Sequence, residues 1–202
     1  MSLAPALPRR RRVLAESLLP QALTRSGTTV LLGAALTAVA AQISVPVPGS
    51  PVPVTGQTFA VLITATALGP ARGFAAQALY LALGALGLPV FTQSQHGVDV
   101  LFGATGGYLV GFLVAALIAG HGARYGADRS PLQTLGTLVP ASAVIYLFGA
   151  GWLALSTGMT AAQAVSVGVT PFLLGDALKA LLAAGLLPGV WKVLRRYEGD
   201  RH

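Results

Sequence analysis

A chain of 202 residues has room for one domain, and here 9% of the residues are charged and 54% apolar. Soluble domains hold about 25% charged residues, so a mean hydropathy of +0.71 marks a polytopic membrane protein. The net charge of +7 comes from basic residues flanking apolar stretches, which form no nucleic-acid recognition surface, and the absence of cysteine excludes disulfides and thiolate metal sites.

Residues 1–25 form a basic segment containing Arg9–Arg12 and Arg25. With Ala38-Val-Ala-Ala-Gln downstream, it has some features of a cleaved export signal. Glu16, Pro20 and Arg25 separate the Arg run from the apolar stretch, which favours a retained helix. Six helices are predicted within a membrane domain at 26–194, over about 28–45, 57–69, 72–87, 101–120, 134–155 and 171–194. The proline cluster from Pro46 to Pro53 ends the first, because proline blocks helix continuation. Gly69-Pro70 ends the second and Gly87-Leu88-Pro89 follows the third. A polar loop spans 88–99, and a short surface helix is placed at 160–167. Residues 195–202 form a basic tail.

Six spans put both termini on one side. Every Lys and Arg except Lys179 then falls on that side, which the positive-inside rule assigns to the cytoplasm. The loops 46–56, 88–99 and 156–170 face outward and contain neither Lys nor Arg.

Asp176 and Lys179 break the pattern. They lie in an apolar run, and residues 130–175 before them carry no charge. Charges inside a membrane helix are costly and mark sites that hold something polar. At i,i+3 both side chains leave one helix face. Two readings stand: an ion pair that pins helices together, or a clamp on a ligand. Asp accepts and Lys donates, so the clamp suits a neutral group with both N–H and C=O. Proton coupling through the carboxylate is disfavoured, because an adjacent cation keeps it ionised.

Gln57, Tyr80, Phe91 and Tyr108 lie near predicted outer ends or loops and are further candidates to line a pocket. His96 and Asp99 are too few for a metal site. Small residues at packing spacing occur at Ala34-xxx-Ala38 and Gly107-xxx-Gly111. No P-loop stretch occurs, so the chain is not a nucleotide-hydrolysing subunit. No residue set suited to hydrolysis lies in the spans, so the chain is not read as an enzyme.

Four stretches carry a family resemblance: Pro53-Val-Thr-Gly-Gln-Thr-Phe-Ala-Val-Leu, Gly84-Ala-Leu-Gly-Leu-Pro-Val-Phe91, Gly103-Ala-Thr-Gly-Gly-Tyr-Leu-Val-Gly-Phe112 and Pro171-Phe-Leu-Leu-Gly-Asp-Ala-Leu-Lys179. In this order and spacing the chain resembles the BioY family, the biotin-binding S components of energy-coupling-factor (ECF) transporters. The resemblance implies an all-α integral membrane protein of six transmembrane helices, in a single domain with both termini cytoplasmic. It implies biotin as ligand without a cofactor or metal, bound near the outer face by Asp176 and Lys179. It also implies a multi-pass protein of the cytoplasmic membrane, with an ECF transmembrane subunit and a pair of ATPases as partners. Ala34 and Ala38 match the face that meets the transmembrane subunit in related S components. Two departures stand out: Ala104 where family members have proline, and a Gln-rich loop with His96 at 92–97. The competing function is a stand-alone secondary carrier for another vitamin-like solute.

Overall fold

The computed structural model describes residues 11–25 and 27–199; Arg9, Arg10 and Arg201 of the basic flanks lie outside that range. The chain is a helical bundle whose main helices stand at the six predicted segments. They are α3 (Thr28–Gln42), α4 (Gln57–Leu68), α5 (Pro70–Ala85), α7 (Gly106–Arg124), α8 (Pro131–Thr157) and α10 (Leu173–Gly199). Shorter helices precede or link them: α1 (Leu14–Leu18), α2 (Gln21–Arg25), α6 (Val98–Phe102) and α9 (Ala161–Gly168). Gly106–Arg124, Pro131–Thr157 and the stretch Ala161–Tyr197 contain windows long and apolar enough to cross a membrane. Thr28–Gln42 and Gln57–Leu68 are apolar but shorter. At 1.5 Å per residue such helices fall short of a hydrocarbon core of about 30 Å.

Punctuation residues set the boundaries. Gly69 adopts φ +82° between α4 and α5, a left-handed conformation suited to glycine. Pro70 follows at the first position of α5, where its missing N–H costs nothing. Ser130 caps α8, its hydroxyl accepting from the Gln133 N–H at 3.4 Å, with Pro131 next. Thr160 and Gln163 form a reciprocal capping box on α9, the surface helix predicted at 160–167.

Four features differ from the sequence reading. The proline-rich loop contains a two-residue antiparallel ladder, β1 (Ser44–Val45) with β2 (Val54–Thr55). The helix predicted from 101 is broken: α6 ends at Phe102, and the Gly103 carbonyl accepts from Trp152 Nε1 at 2.9 Å before α7 begins. The basic N-terminal segment holds α1 and α2, and α10 continues through the predicted tail to Gly199. The fourth concerns α3. Ala34 is 1% exposed and Ala38 is half-buried, whereas Leu32, Leu36 and Val39 on the outer face are 61%, 47% and 65% exposed. A Cβ added at neighbouring Gly33 would lie 2.6 Å from Thr64 Cγ2 and 2.9 Å from Ala76 Cβ, so this side packs on α4 and α5. Ala34 thus packs in the chain's own core, with the half-buried Ala38 against it, where the family resemblance implies a face toward a partner subunit.

Gly107 and Gly111 explain the close approach of α7 to α8. A Cβ on Gly107 would overlap the Phe148 carbonyl, and one on Gly111 would lie 2.9 Å from Ile145 Cα. The small-residue spacing therefore serves an internal contact. At the basic end of the bundle, Arg124 grips Glu16 through two hydrogen bonds of 2.7 Å, with Arg72 at 3.3 Å from the same carboxylate. Burial pushes the Glu16 carboxyl up, but the Arg124 hydrogen bonds, the Val13 N–H and both Arg charges outweigh it and hold the group low. The stability from this depressed carboxyl is lost as pH falls through its folded-state value. Trp191 anchors the same end of α10, donating to Asp128 Oδ2 at 2.5 Å beneath the Arg129 guanidinium.

Gly107→Ala is expected to lower the apparent melting temperature in detergent, because overpacking against backbone costs about 1–3 kcal/mol. Gly151 faces open space, so Gly151→Ala is expected to leave it unchanged or raise it, by up to ~1 kcal/mol of helix propensity. Equal melting of the two variants contradicts this packing.

Candidate functional site

At the end of the bundle opposite the basic cluster, α4, α7, α8 and α10 surround a cleft of about 610 Å³ including its mouth. Its floor holds Asp176 and Lys179, whose side chains keep 10% and 19% of their exposure. Charges this far from water need partners. Lys179 Nζ donates to Asp176 Oδ1 at 2.7 Å, to the Thr55 carbonyl at 2.7 Å and to Thr58 Oγ1 at 3.0 Å. An ammonium has three donors, so Lys179 is fully engaged. The Thr58 hydroxyl in turn donates to Asp176 Oδ1 at 2.9 Å. Tyr146 donates to Asp176 Oδ2 at 2.5 Å. A carboxylate offers roughly four lone-pair positions; three are occupied, leaving one acceptor on a residue that lines the cleft.

Gln57 supplies the complementary group. Its Oε1 accepts from Thr55 and Thr92 hydroxyls, both at 3.0 Å, and its Nε2 donates to Tyr80 at 2.7 Å. One amide N–H is left, again on a lining residue. The side walls are apolar and aromatic, including Phe91, Tyr108, Phe112 and Phe172. Tyr108 is locked by a 2.6 Å hydrogen bond to the Gly168 carbonyl, which holds α9 at the cleft's edge. Gly149 leaves room for its ring, since a Cβ there would overlap it.

Asp176, Lys179, Gln57, Phe91 and Tyr108 thus share one cavity. Tyr80 does not line it. It is fully buried behind Gln57, edge-on to Phe91 at a centroid distance of 5.5 Å. From there its hydroxyl accepts from Gln57 Nε2 and orients that amide. The sequence reading missed Thr58 and Tyr146, which complete the charge network. Thr58 follows Gln57 directly, and that adjacency was the available signal; Tyr146 gave none. Among the described residues no cluster of three or more His, Cys, Asp or Glu is placed to hold a metal.

A family model described as the BioY family matches residues 11–196. The "Probable biotin transporter BioY" of Pyrococcus horikoshii is 43% identical over 154 residues, covering 76% of this chain and 88% of that one. The "Biotin transporter BioY" of Thermotoga maritima is 40% identical over 150 residues, covering 74% and 86%. The "Biotin transporter BioY2" of Lactococcus lactis is 36% identical over 158 residues, covering 77% and 84%. A crystal structure described as the S-component for biotin from an ECF-type ABC transporter superposes with a TM-score of 0.74, covering 87% of this chain and 95% of its own; at 21% identity it supports the fold.

The floor network predicts a non-additive response in ligand-free protein. Lys179→Met alone leaves a buried carboxylate uncompensated and is expected to cost about 3–5 kcal/mol. Asp176→Asn combined with Lys179→Met removes both charges and is expected to recover much of that loss. Melting curves that simply add contradict the pairing.

Proposed function

This chain belongs to the BioY family, and on that premise we propose that it captures biotin in the cleft as the substrate-binding S component of an ECF transporter. The observation that carries this reading is the one acceptor left on Asp176 and the one donor left on Gln57, in an otherwise closed network. A ureido ring has N–H donors and a carbonyl acceptor, and matches both. Asp176 accepts a ureido N–H while Gln57 donates to the carbonyl. Lys179 holds the carboxylate in place, because its own donors are engaged. The apolar body of the ligand lies against Phe91, Tyr108 and Phe172.

The proposal places the protein in the cytoplasmic membrane with six spans. The basic end carrying Arg72, Arg124 and Arg129 faces the cytoplasm, as the positive-inside rule favours. The cleft then opens outward. The exposed apolar side chains of α3 and α10, such as Leu32, Leu36, Leu174 and Leu182, are suited to lipid or a partner helix. Uptake is driven by an ECF transmembrane subunit and a pair of ATPases, since the chain has no phosphate-binding loop of its own. A stand-alone carrier would take up the vitamin without those subunits.

Calorimetric titration of the purified protein is expected to show saturable biotin binding, with thiamine and riboflavin inert. A hydrogen bond to a charged group contributes about 1.5–3 kcal/mol, so Asp176→Asn is expected to weaken binding roughly ten- to 150-fold. Biotin affinity unchanged in Asp176→Asn would remove Asp176 from the site.

A further inference from the structure

Beside the cleft lies a second hollow of about 500 Å³, open to solvent. The two share Pro53, Thr92, Gln95 and Thr105 as a common wall. The hollow lies between the proline-rich loop and the loop after α5, with Ser50 and Gln93 among its other residues. Its lining is neutral: hydroxyls, carboxamides, prolines and a valine, with no Lys, Arg or His among the described residues. The sequence shows the same feature over a wider range. No Lys or Arg occurs between Arg25 and Arg72, between Arg72 and Arg124, or between Arg129 and Lys179. The cation at the floor is unavailable, because its three donors serve Asp176, Thr55 and Thr58.

The hollow is open to solvent and offers neutral hydroxyls and carboxamides but no cation, so a carboxylate there gains no ion pair and has no need to shed its water. An acidic tail reaching the hollow therefore keeps its water, and its charge adds little to binding. Room for a tail lies next to the cleft, because the hollow adjoins it along the common wall and is open to solvent.

Resting on the biotin reading, we infer that the hollow receives the ligand's tail as a neutral hydrogen-bonding group. The protein then binds biotin carboxamides, including biotin linked through an amide to the side-chain amine of lysine, as well as it binds the free acid. The ureido end supplies the selectivity, and the tail end is permissive toward charge and length.

The test compares three titrations of detergent-purified full-length protein: biotin, its primary amide and its lysyl amide. Affinities for all three are expected to agree within about threefold, less than 1 kcal/mol. Gln95 is exposed on the wall between the cavities. Gln95→Arg is expected to favour the acid over both amides by up to about fivefold, the scale of an exposed charge pair. Biotin binding with either amide more than about threefold weaker overturns the inference and leaves the biotin reading intact. An arginine at 95 that leaves acid and amides equal overturns the tail's place in the hollow. Failure of all three ligands to bind removes the biotin reading and this inference together.

Discussion

Two opposite charges one helical turn apart must be accommodated in an apolar bundle, and much of the cleft follows from how this is done. Asp176 and Lys179 are paired at 2.7 Å, yet pairing alone leaves ammonium donors and carboxylate lone pairs unmet. Thr55 and Thr58 bring α4 and the end of β2 to Lys179, and Tyr146 brings α8 to Asp176. Satisfying two charges therefore ties three helices and a strand end to one point. It leaves a single carboxylate acceptor open to the cavity.

The network depends on close helix contact elsewhere. Tyr146 sits on α8, and α8 lies against α7 at the distance that Gly107 and Gly111 allow. Gly149 admits the Tyr108 ring, and Tyr108 in turn fixes the carbonyl of Gly168 at the end of α9. Glycines with no chemistry of their own thus position the aromatic wall. At the far end, Glu16 with Arg124 and Arg72 ties α1, α5 and α7 together, and Trp191 with Asp128 ties α10 to the turn between α7 and α8. The bundle is fastened by polar groups at both ends and packed by small residues between.

Legibility in the sequence followed chemical contrast. The six main segments could be read because proline and glycine mark their ends and charge avoids their interiors. Asp176 and Lys179 could be read because each interrupts an apolar run. Tyr146 and Thr58 could not, since hydroxyl-bearing residues are common in apolar helices and their partner lies 30 and 118 positions away. The break at Gly103 was hidden because the partner of its freed carbonyl, Trp152, lies 49 positions away. α3 has no charged residue, so no charge marked which of its faces turns outward and which holds Ala34. Tyr80 stands in the predicted neighbourhood, one hydrogen bond behind the cleft wall. The Arg-rich N-terminus masked α1, whose Val13, Leu14 and Ala15 are buried while Glu16 accepts from the Val13 N–H.

The central claim concerns one carboxylate oxygen, and a structure of the protein with biotin bound addresses it directly. A ureido nitrogen of the ligand is expected at hydrogen-bond distance from Asp176, about 2.7–3.2 Å, with Lys179 still holding the Thr55 carbonyl and the tail toward Thr92 and Gln95. Biotin lying outside the cleft, or turned so that its carboxylate takes Lys179 from Asp176, would contradict the account.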